Sequence, residues 1–287
     1  MHWHTTRFTI DLARPRIMGI VNVTPDSFSD GGQHASAAQA IAHCEQLVKD
    51  GAHILDIGGE SSRPGAQPLP LDEELARVLP VLRAALSLGV PVSVDTYKAR
   101  VMQAALELGA DIINDIWALR QSGAQDAVAA YPDCGLLLMH MHRNPQTMQT
   151  APMDCADVVQ AVKDDLLSFI EQIIEYPRRK SALKSSKDTH IAIDPGIGFG
   201  KTVAQNFALL ARQRELLSLG YPLVAGWSRK SSLGAVTGLD APDRMVPSVA
   251  AALLAVEHGA SVVRVHDVRE TALALAVWQA VQAGDLG

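Results

Sequence analysis

Eight short apolar runs punctuate this chain, at residues 17–21, 53–57, 90–94, 111–113, 135–139, 191–193, 223–225 and 261–265, and polar residues follow each one. Each run suits one buried strand and is too short for a buried helix. Helical patterns fill most of the intervals. After the first run Ala37, Ala40, Ile41, Cys44, Leu47 and Val48 recur at helical spacing, with Ser36 placed to cap the helix and Gly51 to end it. Val101, Ala104, Ala105 and Leu108 form a second stripe, stopped by Gly109. Near the C-terminus Ser248 can cap a run through Val256, and Gly259 precedes the last apolar run. Repeated strand–helix units imply a parallel sheet with helices outside. Eight units in 287 residues predict an α/β fold, a (β/α)8 TIM barrel, with 1–287 as a single domain. An open doubly-wound sheet is the alternative, but no GxGxxG turn follows the first run. The polar, basic stretch 175–190 reads as an extended surface connection before the sixth run.

Charge and cysteine usage narrow the function classes. The formal charge is −6 and the densest basic cluster is Arg178-Arg179-Lys180, with Lys184 and Lys187 after it. That cluster reads as a solvated loop, so no nucleic-acid partner is expected. Cys44, Cys134 and Cys155 show neither metal nor redox spacing, which fits a reduced cytoplasmic protein. The N-terminus lacks the charged and apolar regions of a signal peptide, and no apolar run is long enough to span a membrane.

In a parallel α/β barrel, chemistry gathers where the strands end. Here the ends carry Asn22, the stretch Asp56-Ile-Gly-Gly-Glu-Ser-Ser-Arg-Pro-Gly65, Asp95, Asn114-Asp115, Asp194-Pro-Gly-Ile-Gly-Phe-Gly-Lys201, Ser228-Arg-Lys-Ser231, and Arg264-Val-His-Asp267. Taken singly, each has a bland reading. Asp95 before Thr96 could be a helix cap, the glycines ordinary turns, Arg229-Lys230 a solvated pair and His266 a hydrogen-bonded core histidine. His140 and His142 form an HxH pair, but no partner at metal-site spacing supports them. Independent caps, however, do not require Asn, Arg and Lys at the same end as Asp. Together the groups describe a ligand pocket. Asp95, Asn114 and Asp194 suit a flat amino-pyrimidine heterocycle that presents N–H donors. Arg264 and His266, two apart on a strand, share a face and suit a phosphate. Asn22 offers an oxygen to Mg2+, which binds phosphate oxygens with few protein ligands.

These motifs, together with Asn22-Val-Thr-Pro-Asp-Ser-Phe-Ser-Asp30, Ser93-Val-Asp95-Thr96, Ile113-Asn-Asp115 and Met139-His-Met141, resemble the ordered signatures of the dihydropteroate synthases along nearly the whole chain. The resemblance implies a (β/α)8 barrel, usually a homodimer through its outer helices. The implied reaction joins 6-hydroxymethyl-7,8-dihydropterin diphosphate to p-aminobenzoate, with Mg2+, giving 7,8-dihydropteroate and pyrophosphate. It further implies that Asp95, Asn114, Asp194 and Lys230 hold the pterin, with Asp56 buried near it and Arg264 stacked over it. Asn22, Arg264 and His266 would take the diphosphate. Asp30, Ser62 and Arg63 lie on closing loops, Phe28, Pro64, Lys230 and Ser231 border the arylamine pocket, where sulfonamides would compete, and Met139 and Phe199 are further substrate-binding candidates. Asp30, Arg63, Lys230, Arg264 and His266 are the candidate catalytic set. The chain departs from the family pattern at Ser62, usually Thr, at Trp117, and in the length of the 175–190 connection.

Three other readings remain open on the residues alone. A pterin-binding methyltransferase barrel shares the carboxylates but not Ser228-Arg229-Lys230 with the 24–30 loop. A Schiff-base aldolase would use Lys230. A paralogue without turnover would have lost polar positions, and every one is filled.

Overall fold

The computed structural model describes residues 1–23, 32–61, 65–176 and 188–284. Its strands, in chain order, are β1 (His2–His4), β2 (Thr9–Asp11), β3 (Arg16–Asn22), β4 (Ile54–Gly58), β5 (Val92–Asp95), β6 (Ile112–Asp115), β7 (Gly135–Met139), β8 (Asp188–Thr189), β9 (Ile191–Asp194), β10 (Val224–Ala225) and β11 (Val262–Val265). The helices are α1 (Gly32–Lys49), α2 (Leu71–Ala85), α3 (Ala99–Leu108), α4 (Ala124–Ala129), α5 (Val158–Glu175), α6 (Val203–Ala211), α7 (Ser231–Thr237), α8 (Met245–Glu257) and α9 (Val268–Ala283).

Eight strands form one parallel sheet in the order β10-β11-β3-β4-β5-β6-β7-β9. A parallel bridge between Ile193 and Leu223, with Ile193 N–H donating to the Pro222 carbonyl at 2.9 Å, joins the two ends into a nearly closed barrel. All eight expected strands are present, shifted by two residues at most. The two-residue period of a strand sorts their side chains. Ile17, Val21, Leu55, Ile57, Val94, Ile113, Leu136, Leu138, Ile193 and Val263 belong to the core shared with the outer helices. Met18, Ile54, Ile112, Leu137, Ala192, Val224 and Val262 point the other way and form a separate cluster inside the barrel.

The sequence reading had no counterpart for the small sheet β2-β1-β8, which closes the N-terminal end of the barrel. Trp3 of β1 is fully buried in the interior cluster, and its indole N–H donates to the His190 carbonyl at 3.1 Å. Arg7 ties the segment down: its Nε and Nη2 donate to the two Asp111 oxygens at 3.0 and 2.6 Å. Asp111 also accepts from the Val92 N–H at 2.8 Å, so one buried carboxylate joins the plug to the sheet. The 175–190 stretch is thus partly structured: α5 continues to Glu175, and Asp188 and Thr189 pair with β1.

Two expected caps are corrected. α1 begins at Gly32, a turn before Ser36, because Gln33, His34 and Ala35 all tolerate helix. α8 begins at Met245, because Pro247 fits the first turn, where no N–H is required. Ser248 therefore sits inside that turn, donating to the Arg244 carbonyl and accepting from the Arg229 N–H at 2.8 Å. Gly109 ends α3 at φ 108°, as its position in the pattern requires.

Candidate active site

The interior changes character two to four residues up each strand. Above Met18, Ile54, Ile112, Ala192 and Val262 lie Asn22, Asp56, Asn114, Asp194 and Arg264. Arg264 of β11 crosses the barrel. Its Nε donates to Asp56 Oδ2 at 2.6 Å and its Nη2 to Asp95 Oδ2 at 2.7 Å. Asn114 Nδ2 donates to the same Asp56 oxygen at 3.0 Å. Asp95 is therefore no helix cap; the residue before α3 is Lys98, which makes no side-chain cap. Burial pushes the Asp95 carboxyl up to about 7, while Arg264 pulls it back. Burial also lowers Arg264, but Asp56 and Asp95 outweigh it and the guanidinium stays charged. Among the described residues, Asp56 Oδ1 and Ser93 Oγ are buried with no hydrogen-bond partner. Such orphaned acceptors are costly unless a ligand meets them.

Across the barrel, Asp194 ends β9. Its Oδ1 accepts from the Gly196 N–H at 2.7 Å. Burial raises this carboxyl, against the pull of the Gly196 N–H and the cations Lys230, Arg264 and Lys201. Lys230 Nζ lies 4.2 Å above the Phe199 ring. Burial lowers its ammonium to about 8, with Asp194 pulling it back up. Phe199, Met139, Ile116, Met141 and Met148 form a small apolar cluster beside these charges, with Tyr97 and Trp117 packed against it. An apolar shelf flanked by inward-facing carboxylates suits a flat polar ring.

The third side of the site is basic. Asn22 Nδ2 lies 3.5 Å from His266 Nε2, and Ser228 Oγ lies 2.9 Å from His266 Nδ1. Ser228 Oγ also accepts the His266 N–H at 3.1 Å, so one hydroxyl fixes both backbone and ring. Next to it Arg229 holds the left-handed conformation at φ 58°, unusual for a side-chain-bearing residue. Asp267 accepts from its Nη2 at 2.6 Å, and Ser248 accepts from its N–H. These tethers stabilise a strained backbone that turns Lys230 inward. Arg229-Lys230 is thus no solvated pair. Ser231 opens α7 and is exposed.

The structure brings together Asn22, Asp56, Asp95, Asn114, Met139, Asp194, Phe199, Lys230, Arg264 and His266 at one end of the barrel. Phe28, Asp30, Ser62, Arg63 and Pro64 lie outside the described residues. Sequence reasoning passed over Ser93, Ser228, His140 and Lys201 as functional positions. The strand alternation that selects Asp95 also selects Ser93, and Ser228 stands in a motif already singled out. His140 and His142 have separate surroundings: His140 faces Lys201 and Asp165, and His142 contacts Arg143.

A barrel with carboxylates, an amide and an arginine lining its upper interior defines a pterin-binding enzyme, and the family model described as "Pterin binding enzyme" matches residues 18–266. The dihydropteroate synthase of Neisseria meningitidis serogroup C is 47% identical over 283 residues, covering 97% of each chain. Two solved structures are similar throughout. The Xanthomonas albilineans dihydropteroate synthase with 4-aminobenzoic acid has a TM-score of 0.85 at 48% identity, covering 96% of this chain and 95% of that one. The Yersinia pestis dihydropteroate synthase in a sulfonamide drug complex has a TM-score of 0.89 at 41% identity, covering 99% and 100%. The chain belongs to the dihydropteroate synthase family.

Proposed function

We propose that this chain condenses 6-hydroxymethyl-7,8-dihydropterin diphosphate with p-aminobenzoate, yielding 7,8-dihydropteroate and pyrophosphate. The observation that carries the reading is the inward layer of Asp56, Asp95, Asn114 and Asp194 beside an apolar shelf and facing Arg264, Lys230 and His266. Carboxylates and an amide match the N–H donors of a pterin, and the cations match its diphosphate. The test is pyrophosphate release by the purified protein. Release together with 7,8-dihydropteroate is expected when both substrates are present; no dihydropteroate with both overturns the reading.

Asp95, Asn114 and Asp194 hold the pterin edge, with Asp56 behind them and Met139 in the apolar shelf. Lys230 stands between Asp194 and the arylamine side, above Phe199. His266, fixed by Ser228, and Arg264 take the diphosphate. The bond from the pterin methylene to the diphosphate oxygen breaks first, and its electron pair leaves with pyrophosphate. The conjugated ring delocalises the cation, the arylamine nitrogen attacks the methylene carbon, and its proton leaves last. Stabilising the departing charge then supplies most of the catalysis. By family resemblance Asp30, Ser62 and Arg63 close over the site, and Phe28, Pro64 and Ser231 border the arylamine, so p-aminobenzoate binds after the pterin and sulfonamides compete with it.

The donor set fits Mg2+. Among the described residues, the side chain of Asn22 bonds only through Nδ2, toward His266, which leaves its Oδ1 open beside the basic end of the site. One amide oxygen plus diphosphate oxygens is a normal set for this cation. When bound, Mg2+ neutralises charge on the leaving diphosphate.

The chain acts as a single barrel domain and a homodimer in the cytoplasm. Leu273, Val277 and Val281, four residues apart on α9, are 61 to 71% exposed, and Val246 on α8 is 68% exposed. A stripe of this kind favours a subunit contact; light scattering of the purified protein reads the mass. No helix among the described residues is long and apolar enough to cross a membrane, and Cys44 and Cys155 are free thiols.

A further inference from the structure

Lys201 is 2% exposed and lies behind the loop that follows β9. Its Nζ donates to the Gly196 carbonyl at 2.9 Å and the Phe199 carbonyl at 3.2 Å, and lies 2.9 Å from His140 Nδ1. An ammonium only donates, so His140 Nδ1 accepts and its Nε2 carries the ring proton. That Nε2 donates to Asp165 Oδ2 on α5 at 3.0 Å. A chain of bonds therefore runs from the surface carboxylate Asp165, through a histidine held in one tautomer, to a lysine with all three N–H groups engaged. Burial lowers Lys201 to about 7 and His140 to about 4, so between those values the lysine is charged and donates while the ring stays neutral and accepts.

A lysine of lowered basicity can be a nucleophile, but this one is buried and its donors are taken by loop carbonyls and a ring. Its bonds land instead on elements that carry site residues. Gly196 donates its N–H to Asp194 Oδ1, and at φ 67° an added Cβ would lie 1.8 Å from the His140 carbonyl oxygen. The His140 N–H donates to the Asp194 carbonyl at 2.9 Å. Phe199, whose carbonyl Lys201 holds, carries the ring beneath Lys230.

We infer that Lys201, oriented by His140 and Asp165, is a positioning residue for the pterin site: it fixes the 195–200 loop so that Asp194 and the Phe199–Lys230 pair face the ligand together. The inference rests on the proposed role of Asp194, and the test separates the two. Lys201→Met keeps the length and removes the donors. It should raise KM for the pterin diphosphate about tenfold while kcat changes less than about threefold, the pattern of binding lost equally in ground and transition states. In the parent protein at about pH 6, where the lysine is charged and the ring neutral, 15N NMR should find His140 Nδ1 unprotonated and Nε2 protonated, and a protonated Nδ1 overturns the inference. Asp165→Ala alters only the exposed end of the chain of bonds and should raise the same KM by roughly two- to threefold. Asp194→Asn is the control. Loss of pterin affinity in Asp194→Asn with unchanged KM in Lys201→Met overturns the inference alone. Unchanged affinity in both overturns the site reading and the inference with it. A fall in kcat proportional to the folded fraction, with KM constant, also overturns it. If Lys201→Met does not fold, Asp165→Ala decides: an unchanged pterin KM overturns the inference.

Discussion

The two ends of the barrel interior are built from the same strands and the same inward face, yet they do opposite work. At the lower end Met18, Ile54, Ile112, Ala192 and Val262 close around Trp3. Two to four residues further along the same strands stand Asn22, Asp56, Asn114, Asp194 and Arg264. Removing apolar surface from water stabilises the lower end. The upper end buries charges, which cost stability unless paired, and leaves Asp56 Oδ1 and Ser93 Oγ with no partner among the described residues. Stability and ligand recognition are thus separated along the barrel axis by the rise of a few residues per strand.

Substitutions at the two ends should have mirror-image effects. The largest belongs to the lower end. Trp3→Ala empties a fully buried site and should cost about 3–5 kcal/mol in chemical denaturation, with KM values unchanged for the folded fraction. A specific loss of substrate affinity without loss of stability would break the separation.

Asp194→Asn is the counterpart. It puts an N–H where the pterin presents its own, a mismatch of about 1–3 kcal/mol, or roughly ten- to hundredfold in affinity by calorimetry. Because burial raises the Asp194 carboxyl, the melting temperature of the free protein should hold or rise. Unchanged pterin affinity would remove Asp194 from the site. A smaller effect divides the site itself. His266→Ala should weaken the diphosphorylated pterin about fivefold more than the unphosphorylated alcohol, the value of one hydrogen bond of about 1 kcal/mol. Equal losses for the two ligands would take His266 out of the phosphate region.

The smallest effect is a pH signature of the upper end. Lys230 is lowered to about 8 by burial, below the ordinary lysine value of about 10.4. Between those values the unfolded chain holds a proton that the folded chain lacks, so this group makes stability rise with pH. Below about 8 the lysine is charged in both states and its penalty is complete; above both values the penalty is gone. Lys230→Met should therefore raise the melting temperature at pH 7, lose that advantage by about pH 10, and lose turnover throughout. A pH-independent difference between the two proteins would show that Lys230 is not desolvated in the free protein.

Much of this was legible before the structure. The eight barrel strands and the strand-end groups Asn22, Asp95, Asn114, Asp194, Lys230, Arg264 and His266 stand where the pattern places them. The small sheet was not legible, because β1, β2 and β8 are two or three residues long and carry no periodic pattern. Ser248 was misread because its cap-like identity is local, whereas its partner Arg229 lies 19 residues away. Lys201 and His140 are 61 residues apart, and nothing in either neighbourhood signals the other.

Alternation along a strand and the polar residue after it are local properties. The amino-acid sequence alone therefore determined that the chain builds repeated strand–helix units with chemistry at one end. Pairing is not local. Arg264 meets Asp56 and Asp95 across separations of 208 and 169 residues. Only the closure of the barrel decided which carboxylates share that guanidinium, which one keeps an open oxygen, and how far burial moves Asp95 and Lys230 from their ordinary acidities. Those properties depend on the three-dimensional arrangement of charge and solvent, which no stretch of neighbouring residues contains.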